Sequence, residues 1–431
     1  MPVFLTHDQP DFAVRFDALL SAKREISDDV DAAAAQIISE VREGGLSAVI
    51  DLTRKFDGWN VTEQSLAFSA EEIDQAIERV DQTERRALEL AAARIRAYHE
   101  QQVPDDRIWT DPDGVLLGWR WGAIDAVGLY VPGGLASYPS SVLMNAIPAS
   151  VAGVRDVVMT APTPGGDVNP LVLLAARLSG VDTVYRIGGA QAVAALAYGA
   201  GPIAPVDKIT GPGNAWVAAA KRRVFGTVGI DMIAGPSEIL VISDGGQDPD
   251  WIAADLMSQA EHDTSAQSIL ITDDAGFADE VVRSVDRILQ RLERREIAGA
   301  SWRDHGAIIV AETLEQAAAL TNRIAPEHLE LCVESPLSYS EQIRHAGAIF
   351  LGGHTPEAIG DYVGGPNHVL PKARSARFSS GLSVLDFMKR TTLAQVPPAS
   401  LAAIGPAAET LARSEGLEAH ALSVSARLST P

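Results

Sequence analysis

The chain has 431 residues, enough for two or three domains, and at 46% hydrophobic it can bury a sizeable core. Its formal net charge of -22 argues against nucleic acid and anionic membranes as partners, since both recruit basic footprints. Cys332 is the only cysteine, which excludes an intrachain disulfide and a cysteine-based zinc site.

Residues 1–16 carry acids early and lack a long apolar run, so they do not read as a signal peptide, and the whole balance suits a soluble cytoplasmic protein. Ser27 can cap a helix over 28–43, with Ile37, Ile38 and Val41 on one face and Gly44 and Gly45 as the stop. A second helix, Gln82–Glu100, places Leu88, Ala91, Ala92 and Ile95 at helical spacing. From about residue 126 short apolar runs alternate with helical segments. The reading is a strand at 157–160, a helix at 171–178, a strand at 183–187, and helices at 190–198 and 214–224. It continues with a strand at 239–242, a helix at 251–261, a strand at 268–272 and a helix at 278–294. A strand at 307–310, a helix at 314–323 and strands at 329–333 and 348–351 follow, and a helical tail begins near 384. This alternation predicts βαβ units and parallel sheets, hence an α/β chain with two domains of similar style. Residues 126–154 and 187–206 carry no charges and are each long enough to span a bilayer. Both are broken by Pro and Gly, so they read instead as neutral walls of a cofactor or substrate cleft.

The polar chemistry gathers late in the chain. Of the nine histidines, all but His7 and His99 lie in the later half. Gln259 and His262 fall on the helix 251–261 or its last turn. Residues three apart on a helix hold their Cβ atoms about 5–6 Å apart, so both can address one ion. Asp255 extends the stripe by a turn. The same pattern also describes a solvated polar face at a helix end, where His suits the dipole. Glu327 and His328 follow Pro326 just before a strand and offer two proton-transfer groups of different intrinsic pKa. A loop pair with the ring packed under the sheet is the plainer alternative. Asp361, with Asn367 and His368, reads as a loop. Its carboxylate could ligate zinc or cap a turn. Glu415 and His420 taken alone are a surface helix, and Cys332 a buried strand residue. Turns at Gly188–Gly189 and Gly211–Asn214 precede helices whose free N–H groups could hold phosphate. Neither turn is a G-x-G-x-x-G fingerprint. Ser237, in the turn 235–238, could cap a helix or bind a ligand.

Six strings in order, GLYVPGG at 128–134, GPGN at 211–214, AGPSE at 234–238, SQAEHD at 258–263, APEHL at 325–329 and GPNH at 365–368, resemble the histidinol dehydrogenase family over nearly the whole chain. The resemblance implies a homodimer that oxidises L-histidinol to L-histidine through the aldehyde, using NAD+ and zinc, at the end of histidine biosynthesis. It implies that Gln259, His262 and Asp361 bind zinc from one subunit and His420 from the other. Such a donor set is oxygen-rich, so Mn2+ could substitute. Glu327 and His328 would be the proton acceptors. Ser237, Glu415, His328 and the metal ligands would contact substrate, and Tyr130, Gln191 and Asn214 would contact NAD+. Two incomplete Rossmann-like domains account for the missing fingerprint. The expected division is an N-terminal helical extension at 1–25, a first α/β domain from 26–129 plus 237–381, an NAD-binding domain at 130–236, and a tail at 382–431 reaching the partner. Lys372 stands where a small polar residue is expected; it alters the local charge and is expected to touch none of these residues. The role of His368 is left open.

Rival readings are a paralogue acting on another small polar alcohol, such as a sulfonated diol, a zinc hydrolase with Glu327 as base, and a non-catalytic binding protein. A cationic amine needs an anionic partner such as Glu415, whereas a sulfonate needs a basic one. A hydrolase has no use for the neutral Gly-rich turns. Six intact polar clusters fit poorly with a mere binding role.

Overall fold

Two parallel sheets, anticipated from the strand and helix alternation, organise the chain. The computed structural model describes residues 2–21, 28–132, 138–233 and 235–429. In chain order its strands are β1 (Val3–Thr6), β2 (Arg107–Thr110), β3 (Leu116–Ala123), β4 (Ala126–Tyr130), β5 (Asp156–Thr160), β6 (Thr183–Tyr185), β7 (Lys208–Thr210), β8 (Gly229–Ile230), β9 (Glu238–Ser243), β10 (Gln267–Thr272), β11 (Ala307–Val310), β12 (His328–Cys332), β13 (Ala348–Leu351) and β14 (Met388–Gln395).

A five-stranded sheet has the order β6-β5-β4-β7-β8, every pair parallel. A six-stranded sheet has the order β1-β11-β10-β9-β12-β13, again all parallel. Setting aside β1, which is added at the outer edge beyond β11, the first strand of each unit, β4 or β9, lies inside the sheet. The next two run out to one side and the following two to the other. This is the doubly wound order of a dinucleotide-binding half, and its crevice lies where the strand order reverses. The reversal falls between β4 and β7 in one sheet and between β9 and β12 in the other. β9 and β10 are buried at every position, as strands covered on both faces must be.

Several expectations are corrected. The helical run Asp28–Asp57 is broken at Gly45 (φ 54°, ψ -133°), so the expected stop stands, but an unexpected second helical stretch follows it and buries Val49 and Leu52. The proposed cap of the first stretch, Ser27, lies outside the described residues. The helix over 278–294 ends earlier, as Ala275–Leu289. A further helix, Arg295–His305, has no side-chain cap to announce it. The N-terminal extension is not wholly helical: β1 joins the free edge of β11 in register Val3 with Ala307. Nor is the tail. β14, rich in threonine, pairs antiparallel with β3 along eight residues, and only then do the helices Pro398–Ser414 and Glu418–Leu428 follow. Residues 28–100, expected beside the six-stranded sheet, pack on the five-stranded one. Ile37, Val41 and Val49 share a core with Val193, Leu196 and Val217, and Leu88 and Ile95 share another with Leu143 and Leu173. The two charge-free stretches are mainly this core: the helices Pro139–Ala152 and Gly189–Tyr198 are buried along most of their length. Among the described residues no helix is long and apolar enough to cross a membrane.

Candidate active site

The two units meet at a cleft of about 380 Å³. The five-stranded unit contributes its carboxyl edge, through Gly211, Pro212, Gly213 and Asn214 beyond β7. The six-stranded unit contributes its amino edge, through Ser237, Glu327 and His328 before or at the start of β9 and β12. Gln259 and His262 arrive there because the helix Pro249–Ala260 runs back to the amino end of β10. Asp361 closes the ring. It lies on a short helix, Glu357–Tyr362, rather than in the expected loop.

The candidate proton-transfer pair, Glu327 and His328, is buried and fixed by backbone hydrogen bonds. Glu327 is 1% exposed, and its Oε2 accepts from the backbone N–H of Glu238 at 3.0 Å. His328 Nδ1 donates to the carbonyl of Glu238 at 2.9 Å, which leaves Nε2 without a partner. Nε2 lies 3.6 Å from Glu357 Oε1. Burial alone would depress the imidazole, but Glu327, Glu357 and Asp361 around it hold its pKa above the ordinary value. Burial pushes the Glu357 carboxyl up to about 7. Sequence reasoning missed Glu357, although it stands four residues before Asp361 and so on the same helical face.

The metal-ligand candidates show complementary features. Gln259 is fully buried; its amide N–H donates to His262 Nδ1 at 2.9 Å, and its Oε1 has no hydrogen-bond partner. An orphaned buried amide oxygen facing a polar cleft suits a cation. Asp361 would be raised by burial, but His368, His328 and His262 outweigh this and hold it well below the usual carboxylate range. His368 donates to the Asp361 carbonyl at 3.0 Å and stands 3.5 Å from Oδ1, so it anchors that carboxylate. Ligand atoms of His328, Glu357 and Asp361 lie within 4.8 Å of one another. This set of oxygen and imidazole donors fits zinc. Asp255 does not join them. It hydrogen-bonds instead to Glu330 on β12, and burial raises both carboxyls.

Tyr130 and Gln191 do not line this cleft. They sit together at the end of β4 and the start of the helix Gly189–Tyr198. The Tyr130 hydroxyl accepts from Gly189 N–H at 3.0 Å, and burial pushes it up to about 12. Gln191 is 1% exposed with neither amide atom bonded, an unfilled pair of polar groups at the crevice of the five-stranded sheet. Gly211 (φ 115°) admits no side chain, since a Cβ would lie 2.0 Å from the Tyr130 carbonyl oxygen. Asn214 lines the cleft, but its side chain caps the helix Ala215–Val224. A dinucleotide at a reversal point of this kind suits such a backbone-lined turn. Residues 133, 134 and 234 of the quoted strings lie outside the described residues. Glu415 and His420 are exposed on their own chain and do not line the cleft.

A family model for histidinol dehydrogenase matches residues 20–428. The chain belongs to the histidinol dehydrogenase family. It is 70% identical to the histidinol dehydrogenase of Ruegeria pomeroyi over 428 residues, covering 99% of each chain. It is 63% identical to that of Rhodospirillum rubrum over 429 residues, again covering 99% of each. The crystal structure of histidinol dehydrogenase from Elizabethkingia anophelis superposes with a TM-score of 0.94 at 35% identity, covering 99% of this chain and 98% of that one. Membership in this family and the largely buried cluster of His328, Glu357 and Asp361 make the protein a zinc- and NAD-dependent oxidoreductase.

One expectation about the site fails. Lys372 does touch the family's residues: its Nζ donates to Ser237 Oγ at 2.9 Å and lies 3.2 Å from Glu327 Oε1. Lys372 lines the cleft and meets Ser237 across 135 positions of sequence.

Proposed function

We propose that the protein carries out the NAD-dependent four-electron oxidation of L-histidinol to L-histidine through bound L-histidinaldehyde, the closing reactions of histidine biosynthesis. One observation carries the reading. A buried glutamate and histidine pair shares a single cleft with Gln259, His262 and Asp361 on one side and the turn Gly211–Asn214 on the other.

Gln259, His262 and Asp361 would hold zinc, with His420 supplied by the second copy of a homodimer. Tyr130, Gln191 and Asn214 would lie against NAD+. When bound, zinc supplies Lewis acidity that orients the amino and imidazole nitrogens of histidinol, and NAD+ supplies the hydride acceptor for each oxidation. Ser237, with Glu415 of the partner subunit, fixes the ring and the amine. His328 takes the hydroxyl proton as the carbinol carbon gives up hydride. The aldehyde stays bound. Glu327 then takes a proton from water as the water oxygen adds to the carbonyl carbon, whose oxygen gains a proton, giving the hydrate. His328 accepts a proton again as the hydrate loses its hydride. The balance is histidinol, water and two NAD+ giving histidine carboxylate, two NADH and three protons. Glu327 and His328 enclosed together spare the aldehyde from release, and positioning supplies much of the acceleration.

Purified protein given L-histidinol and NAD+ should form two NADH for each histidine. Absence of NADH with histidinol, together with turnover of another small polar alcohol, would favour the paralogue reading instead.

A further inference from the structure

Lys372 has no place in the reaction just described, yet its ammonium sits between two groups that do. It bridges Ser237 Oγ at 2.9 Å and Glu327 Oε1 at 3.2 Å. The other oxygen of Glu327 is held by the backbone N–H of Glu238, so both carboxylate oxygens are tied. That carboxylate side chain is only 2% exposed. A charge so far removed from water requires an opposite charge or several donors beside it; Lys372 supplies a cation at 3.2 Å, nearer than His328 Nδ1 at 3.8 Å.

The backbone carrying Lys372 is built to hold it there. Its stem packs over Gly235, where an added Cβ would meet Lys372 Cβ at 3.4 Å and Ala373 Cβ at 3.3 Å. The carbonyl of Lys372 accepts from Ser375 Oγ at 2.7 Å and from Ser375 N–H at 3.0 Å. The N–H of Ala373 donates to Glu238 Oε1 at 3.3 Å. Ala373 and Arg374 both take left-handed conformations, at φ 51° and 65°, although neither is glycine. Strain of this kind persists only where surrounding contacts over-determine it, and it gathers at functional sites.

We propose that Lys372 is a positioning residue for the second oxidation. It fixes the Glu327 carboxylate in the orientation that takes a proton from the attacking water, and it holds the Ser237 hydroxyl at the mouth of the same site. The proposal rests on the reading of Glu327 as the base of the hydration step. The first oxidation uses His328, which Lys372 does not contact, so the two half-reactions should respond unequally.

The test compares zinc-loaded wild type with Lys372→Met and Lys372→Arg, using L-histidinol and L-histidinaldehyde as separate substrates with NAD+. For Lys372→Met the loss in kcat on the aldehyde should exceed the loss in alcohol oxidation by on the order of tenfold or more. KM for the aldehyde should move much less than kcat. Lys372→Arg, which keeps the cation, should recover a substantial part of the aldehyde rate, and it also serves if the methionine variant does not fold. Equal losses in both half-reactions, or an arginine variant as impaired on the aldehyde as the methionine one, would overturn the proposal. Wild type inactive on both substrates would instead contradict the underlying functional reading.

Discussion

Glu327 and His328 are adjacent and both bond the backbone of Glu238, but the proposed reaction gives them different tasks, and this division predicts different defects. Glu327→Gln keeps the shape and removes the base, so aldehyde oxidation should fall on the order of a hundredfold while alcohol oxidation falls far less. His328→Asn should harm both. Comparable losses from Glu327→Gln in the two half-reactions, measured by NADH formation from each substrate, would contradict the assignment. Behind them, Asp255 makes a stability prediction. Burial raises it to about 6, whereas an unfolded chain releases that proton near about pH 3.9. The folded state therefore binds the extra proton, and its contribution is complete below about pH 4 and lost as pH rises through about 6. Thermal midpoints of Asp255→Asn should fall less than those of wild type across that window; parallel profiles would refute the linkage. At this scale the sequence was informative about residue type and silent about reach. The strings marked Gln259, His262, Glu327 and His328, because each sits in a compact cluster, and Asp361 lies just before the string at 365–368. Lys372 escaped because Ser237 and Glu327 are close to it only in space, and Glu357 because the helix it shares with Asp361 reads as a loop in the sequence.

Single elements carry the geometry through a few buried contacts. The turn Gly211–Asn214 is clamped by Lys221, whose Nζ donates to the Gly211 carbonyl at 2.9 Å and pairs with Asp231, while Asp231 Oδ2 accepts from Gly211 N–H at 2.8 Å. Both side chains are almost wholly buried. Lys221→Met would leave the Asp231 charge unpaired, costing about 3–5 kcal/mol and loosening the turn beside the cofactor crevice. Chemical denaturation should show the lost stability, and KM for NAD+ should rise. A variant as stable as wild type would remove Lys221 from this role. Periodicity located Gln82–Glu100, β5 and β6, and β9 through β13, because apolar repeats follow directly from burial, but it did not mark β4, β7 or β8. It failed where tertiary context decides. A second helical stretch follows the break at Gly45 and packs by its apolar stripe, and β14 becomes a strand through its pairing with β3.

The two parallel sheets repeat one winding order, and the cleft lies where the carboxyl edge of one faces the amino edge of the other. The alternation of strands and helices made the sheets legible. It could not tell which sheet the helices at 28–100 would cover, since an apolar face does not name its partner. Glu415 and His420 pose the largest question of this kind. They are exposed on their own chain, whereas the proposed site requires them from the second copy. The most direct measurement mixes His420→Ala chains with Gln259→Ala chains under conditions that exchange subunits. Each variant alone should lack activity and zinc. A mixed twofold dimer should regain one site built from intact Gln259 and intact His420, so random mixing should restore about a quarter of wild-type activity and bound zinc. Mixtures no more active or metal-rich than the separate variants would contradict a site shared between subunits.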